Sequence, residues 1–320
     1  MVQINIKLLP LTNRLMKSDL LLTISLILAL TSVSAGCSVH MGVEAEPETM
    51  APAAFEYEID SEITSFIYSE PQWPQALRAD LYLPKKRGPL PVVMVIHGGG
   101  WANRSREDMT DISRGLAERG YAVMNLDYRF APRYTYPAQL DDLQQARIWL
   151  AANAGRYQLD LERVNAWGYS SGAHLAALLG SLEHSPGGHQ AQKMPRLRAV
   201  VAGGIPADLR KYSNSPIVMR FMGGARDEMP ERYAEASPLY HVSADDPPVF
   251  LYHGKLDTLV SKEQSIDYYD ALVAAGVKSE LYLHGMHGHM SMFLFGGDVE
   301  DRAIDFLDRN NDESIKLAGD

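Results

Sequence analysis

The chain has 320 residues, 46% of them hydrophobic and 22% charged, with a formal net charge of −10. That length is enough to bury a core on both faces of a sheet, and an α/β fold of this size is often one domain. The acidic balance argues against nucleic acid and an anionic membrane surface as electrostatic partners, and the single cysteine, Cys37, rules out an internal disulfide or a thiolate metal cluster.

The amino end carries Arg14 and Lys17 ahead of a nearly unbroken apolar run, Leu20 to Leu30, followed by Ser34-Ala35-Gly36-Cys37. Basic, apolar and small-residue segments in that order are the parts of a secretory signal, and the run is short for a transmembrane helix. Small residues ending on a cysteine resemble the bacterial lipoprotein signal, whose cysteine is lipidated and becomes the mature N-terminus. The usual leucine three residues earlier is Ser34 here. The expectation is a signal segment over residues 1–36, a lipid anchor to the membrane on Cys37, and a place in the bacterial cell envelope. Ser38 after the cysteine favours the outer membrane by the same resemblance. An ordinary signal peptide cleaved nearby, and a start at Met16, stay open. Residues 37–54 are rich in Glu, Pro, Ala and Met without a period and read as a flexible tether. Residues 55–320 are left as the folded domain.

From Phe55 onward, strand-like and helix-like segments alternate. Glu62 to Tyr68 and Ala79 to Leu83 alternate apolar and polar residues, as half-exposed antiparallel strands do. Pro91 to Ile96 is continuously apolar, the mark of a buried parallel strand. A helix over Asp108 to Arg119 stops at Gly120, and a strand follows over Ala122 to Leu126. Pro137 to Ala152 is a helix with one broad apolar face. Val164 to Trp167 is a strand and Ser171 to Ser181 a helix. Ala199 to Ala202 and Val249 to Tyr252 are buried strands. Lys262 to Ala275 is a helix, Glu280 to Leu283 a strand, and Asp298 to Asp308 a closing helix. This alternation predicts an α/β fold with a mostly parallel sheet, helices on both faces, and ligands bound beyond the carboxyl ends of the strands. Residues 205–246 lack clear strands and read as a small helical excursion over the site, or as a crossover with its own helices.

Gly168-Tyr169-Ser170-Ser171-Gly172 fits the G-x-S-x-G pattern between a strand and a helix. A serine on such a turn sits in strained backbone geometry with its Oγ exposed above the sheet. Ser170 alone has glycine at both −2 and +2, so Ser171 is the weaker nucleophile. His97-Gly98-Gly99-Gly100-Trp101 follows directly on the apolar strand. Backbone N–H groups of Gly98, Gly99 and Gly100, with that of Ser171, are candidate donors to an oxyanion. Trp101 and Tyr169 either wall a pocket or pack. Chain order then calls for an acid and a base. Asp257 follows the strand Val249 to Tyr252 on a turn, whereas Asp227 and Asp245 follow no strand. The last strand is followed by His284, His287 and His289 on one loop. No nearby carboxylate or cysteine completes a metal set, so no metal is expected.

These stretches resemble the hormone-sensitive-lipase-like and carboxylesterase branch of the α/β-hydrolases, which includes feruloyl-esterase-like and acetyl-esterase members. Asp127-Tyr128-Arg129-Phe130-Ala131-Pro132, His253-Gly254 through Asp257, and Gly288-His289 extend the likeness across roughly Ser65 to Asp308. The resemblance implies an α/β-hydrolase fold and a catalytic triad of Ser170, Asp257 and His289. It also implies an oxyanion hole at Gly98 to Gly100 and Ser171, no cofactor, and a small-molecule ester with a short acyl group as substrate. Met290-Ser291-Met292-Phe293 replaces the commoner Gly-Phe after the base, which keeps His287 as a rival. An arylformamidase-like amidase, a serine peptidase and a non-catalytic binding lipoprotein are the alternative functions.

Overall fold

The structure is a computed structural model and describes residues 37–43, 57–182 and 196–317. The expected signal segment and most of the expected tether lie outside those residues.

Among the described residues, nine strands form one sheet in the order β1-β9-β8-β7-β6-β4-β5-β3-β2. The central run is parallel: β4 (Leu90–Ile96), β5 (Ala122–Leu126), β6 (Leu159–Tyr169), β7 (Leu197–Gly203), β8 (Val249–Gly254) and β9 (Ser279–His284). β2 (Ile59–Ile67) and β3 (Arg78–Pro84) pair antiparallel at one edge, where β2 alternates between half-buried and exposed residues as the sequence pattern requires. Every residue of β4 is buried. Its side chains point alternately to the two faces of the sheet, and each face has its own core. Val92, Met94 and Ile96 join one core with Leu143 of α2 (Ala138–Tyr157), Leu175 of α3 (Ser171–Ser181) and Leu272 of α7 (Glu263–Ala274). Val93 and Val95 join the other with Leu116 of α1 (Thr110–Glu118) and Phe306 of α9 (Asp298–Leu317).

Three departures from the sequence reading bear on the site. Val39–Met41, inside the stretch read as a tether, form β1 and pair antiparallel with β9, Val39 opposite Leu283. Three residues carry too little pattern to be read as a strand. His40 fixes this one through Glu280, 3.0 Å away. His289 is not on an open loop: it is the first residue of a short helix, α8 (His289–Phe295), with Gly288 at the N-cap. Helix α2 runs past Ala152 to Tyr157 and ends where Gln158 turns left-handed, at φ 53°.

Residues 205–246 hold three short helices, α4 (Pro216–Met222), α5 (Pro230–Glu235) and α6 (Pro238–His241), with one 3-10 turn before α4 and another between α4 and α5. Each begins with proline in its first turn, where the missing N–H costs nothing. They pack over the carboxyl ends of the strands. Phe221 of α4 stacks on Trp101 at 4.3 Å, and His174 of α3 hydrogen-bonds the Ala236 carbonyl at 2.6 Å.

Candidate active site

Ser170 sits between β6 and α3 with φ 54° and ψ −119°, a backbone conformation that a residue with a Cβ rarely adopts. The surrounding packing holds it there. The Ser170 N–H donates to Gly203 O at 2.7 Å. A Cβ on Gly168 would lie 2.3 Å from the Gly172 backbone, and one on Gly172 would lie 2.1 Å from Ile96 O. Only glycine at both positions lets strand, elbow and helix approach this closely.

The structure brings Ser170, His289 and Asp257 into one line. His289 Nε2 is 3.0 Å from Ser170 Oγ, and His289 Nδ1 is 2.6 Å from Asp257 Oδ2. With the carboxylate accepting at Nδ1–H, Nε2 is left as the acceptor for the serine proton. Asp257 is held from several directions. Its Oδ1 accepts the backbone N–H groups of Leu259 and Val260, both at 2.9 Å. Its Oδ2 is also 3.0 Å from Nε2 of His253, a fully buried ring whose Nδ1 is fixed by the Ser265 hydroxyl at 2.7 Å. Burial alone would raise the Asp257 pKa. The hydrogen bonds from His253 and His289 outweigh it and hold the carboxyl well below its usual range. The acid is therefore ionised at any working pH.

Gly98 faces the elbow: a Cβ there would lie 3.0 Å from Tyr169 O and 3.4 Å from Ser170 Cβ. Gly99 and Gly100 have φ +111° and +61° and turn the loop across the top of the sheet. Tyr128 braces this loop from below. Its hydroxyl lies 3.1 Å from His97 O and 3.4 Å from Ser171 Oγ, and its ring stacks on His97 at 4.4 Å. His97 is fully buried and donates from Nδ1 to Gly98 O at 2.6 Å, and burial lowers its pKa. Its role is to hold the loop. Trp101 is 2% exposed and donates to His174 Nδ1 at 3.3 Å, so it rivets the loop to α3 as well as lining the cavity. Tyr169 also lines the cavity, and its hydroxyl donates to His289 O at 2.5 Å.

The cavity measures about 270 Å³. Gly98, Gly99, Gly100, Ser170, Ser171 and His289 form its floor, with Ile217 and Val218 of α4 and Leu259, Met290 and Phe293 as apolar walls. Of the three histidines at and beyond the end of β9, only His289 reaches the serine; His284, expected on the loop, is the last residue of the strand. His284 and His287 lie against each other, ring centroids 4.2 Å apart. His253, Tyr128 and His174 take parts in the site that the sequence reading did not assign. His253 had a usable signal, since it lies four residues before Asp257 at the end of a buried strand.

The model of the BD-FAE family matches residues 79–272, a span that holds the glycine loop, the elbow and Asp257. The chain belongs to the BD-FAE family. This BD-FAE chain is 28% identical over 209 residues to Esterase LipC of Mycobacterium tuberculosis, covering 61% of this chain and 51% of that protein. It is 29% identical over 234 residues to isoprenylcysteine alpha-carbonyl methylesterase ICME of Arabidopsis thaliana, covering 68% and 54% respectively. The chain thus spans about half the length of the curated relatives it matches. Among solved structures, a bifunctional GH43-CE protein of Bacteroides eggerthii superposes with a TM-score of 0.70 at 25% identity, covering 78% of this BD-FAE chain and 38% of that one. Esterase 2 of Thermogutta terrifontis, in a form phosphoramylated by tabun, superposes with a TM-score of 0.66 at 21% identity, covering 79% and 96%. These likenesses establish the α/β-hydrolase fold.

Proposed function

We propose that the chain is a serine hydrolase that cleaves carboxylic esters of short acyl groups through an acyl-enzyme on Ser170. The observation that carries this reading is the unbroken relay Asp257–His289–Ser170, with contacts of 2.6 and 3.0 Å, opening beside a three-glycine loop. His289 takes the Ser170 proton as Oγ attacks the ester carbonyl. Ser171 N–H and the backbone of Gly98 to Gly100 receive the negative charge on the carbonyl oxygen. His289 returns the proton to the departing alcohol. A water, deprotonated by the same imidazole, then releases the acid and restores Ser170. The relatives named as esterases support ester chemistry, and an apolar cavity of about 270 Å³ suits a small acyl group. The lipid anchor belongs to the same reading: Cys37 is lipidated and holds the body at the bacterial cell envelope, on the strength of the signal-like segment that precedes it.

A panel of p-nitrophenyl esters from acetyl to palmitoyl, with matched anilides, tests the activity on wild type and Ser170→Ala. Acetyl to hexanoyl esters should be turned over best, and the variant should lose on the order of 10³-fold or more in kcat while staying folded. Turnover by folded Ser170→Ala, or a preference for palmitoyl esters or for anilides, would overturn the assignment.

A further inference from the structure

Large hydrophobic side chains exposed on the described surface include some on separate elements, such as Ile67 on β2 and Val273 on α7, and a group of six. Leu256, Leu259, Met286, Met290, Leu294 and Phe295, each between 46% and 72% exposed, all lie in the loops after β8 and β9 or on α8. These elements sit side by side at the carboxyl ends of the strands. Lys255 N donates to His284 O at 2.8 Å and Leu256 N to His287 O at 2.9 Å, so the two loops run together. Met290 and Leu294 are four residues apart on α8 and share a face. Leu259 and Met290 also line the catalytic cavity, so the apolar patch continues into the mouth of the site.

Cys37 lies at the edge of this same patch. Its carbonyl accepts Lys255 Nζ at 2.5 Å, the Ser38 hydroxyl accepts Gly285 N at 3.3 Å, and two residues on the chain is already paired with β9. No slack chain separates Cys37 from the body. A lipid carried on that residue would bring the bilayer against the face that holds the exposed apolar side chains. Exposed apolar side chains grouped on neighbouring loops and one helix, rather than scattered singly, mark a contact surface.

We infer that this apolar face docks on the lipid bilayer, with the lipid of Cys37 as its pivot, so that the catalytic cavity opens at the membrane interface. The inference rests on the proposed lipidation of Cys37. The lipid supplies the attachment, and insertion of the apolar patch into the headgroup and acyl boundary sets how the body is oriented on it. The surface is apolar rather than basic, so the matching partner is the acyl and headgroup boundary itself, not anionic lipid charge. An ester dissolved in the interface would reach Ser170 without leaving it.

The test uses the full-length protein made in a lipidating bacterial host and reconstituted into vesicles of phosphatidylethanolamine and phosphatidylcholine. Single cysteines replace Met286, Leu294 or Gly155 and carry an environment-sensitive fluorophore. Gly155 is exposed near the end of α2 at the opposite end of the sheet. Ester turnover by each labelled protein reports that it is folded. Spin-labelled lipid should quench the fluorophore at 286 and 294 severalfold more strongly than at 155, as burial by about 5–10 Å in the headgroup boundary implies. Equal quenching at all three positions, in protein that floats with the vesicles, overturns the docking and leaves lipidation standing. Shielding of 286 and 294 from aqueous quencher without quenching by lipid means that a second copy covers the face, and also overturns it. Protein that does not float with the vesicles removes the anchor and the inference together.

Discussion

Gly172→Ala offers a test of how the oxyanion hole is assembled. A methyl group there would start 2.1 Å from Ile96 O and 2.6 Å from His97 O, both backbone atoms. Relieving even the worst overlap to 3.0 Å needs about 0.9 Å of separation between α3 and the end of β4. The first carries Ser171 N–H and the second leads into Gly98, so the two sets of oxyanion donors move apart by that amount. A misplacement of about 1 Å costs on the order of 10²-fold, similar to the loss of one oxyanion donor. We therefore expect kcat/KM for p-nitrophenyl butyrate to fall about 10²-fold, or ~2.7 kcal/mol, mainly in kcat. Gly155→Ala, where a Cβ meets nothing within 4 Å, is the matched control and should leave turnover unchanged. Circular dichroism would establish that both variants are folded. Turnover by Gly172→Ala within about threefold of wild type would show that the elbow-to-strand contact does not set the geometry of the hole.

Exchanging the histidines after β9 separates base from bystander: His289→Ala should lose nearly all kcat, and His287→Ala should stay within roughly tenfold, the reverse pattern refuting the assignment. His253→Leu removes a hydrogen bond to a buried carboxylate, an interaction of about 1.5–3 kcal/mol, so kcat should fall roughly tenfold or more with KM nearly unchanged. His253→Gln, which keeps a donor, should recover part of that loss. His174 supplies a pH dependence, because burial lowers its pKa to about 4 while the unfolded imidazole titrates near about 6.5. Between those values the unfolded chain binds the extra proton, so the stability from a neutral His174 is complete above about pH 6.5 and is lost as pH falls toward 4. Urea unfolding should register a loss of about 3 kcal/mol from pH 7 to pH 4, and His174→Gln should flatten the curve by a similar amount. An unchanged slope in that variant would mean that other groups carry the acid lability.

The elbow, the glycine loop and the acid were legible because each is a short sequence pattern attached to a strong strand signal. A buried parallel strand such as Val92 to Ile96 announces itself by composition, and the residues that follow it must then stand at the ligand-binding end of the sheet. His289 was harder to single out because three histidines share one stretch, and only the course of the chain through Gly288 into α8 separates them. What could not be read were contacts between distant segments. His253 is the exception, since its place four residues before Asp257 at the end of a buried strand was a local signal for the contact. His174 meets Trp101 and Ala236, 73 and 62 residues away. β1 escaped notice because a three-residue edge strand is defined by its partner β9 and not by its own periodicity.

The three short helices between β7 and β8 bridge two strands that are themselves directly paired. The sheet is continuous without them, and none of Ser170, Asp257 or His289 belongs to them. The wall facing an incoming ester can therefore change in length and shape over evolutionary time while the nucleophile, acid and base keep their places. The parts that tie this wall to the body include Phe221 on Trp101, Ala236 on His174, Phe221 and Glu235 on Tyr136, and Asp208 on Gln264. An exchange of residues 205–246 between relatives should carry substrate preference with it, provided those points of attachment are matched in the recipient.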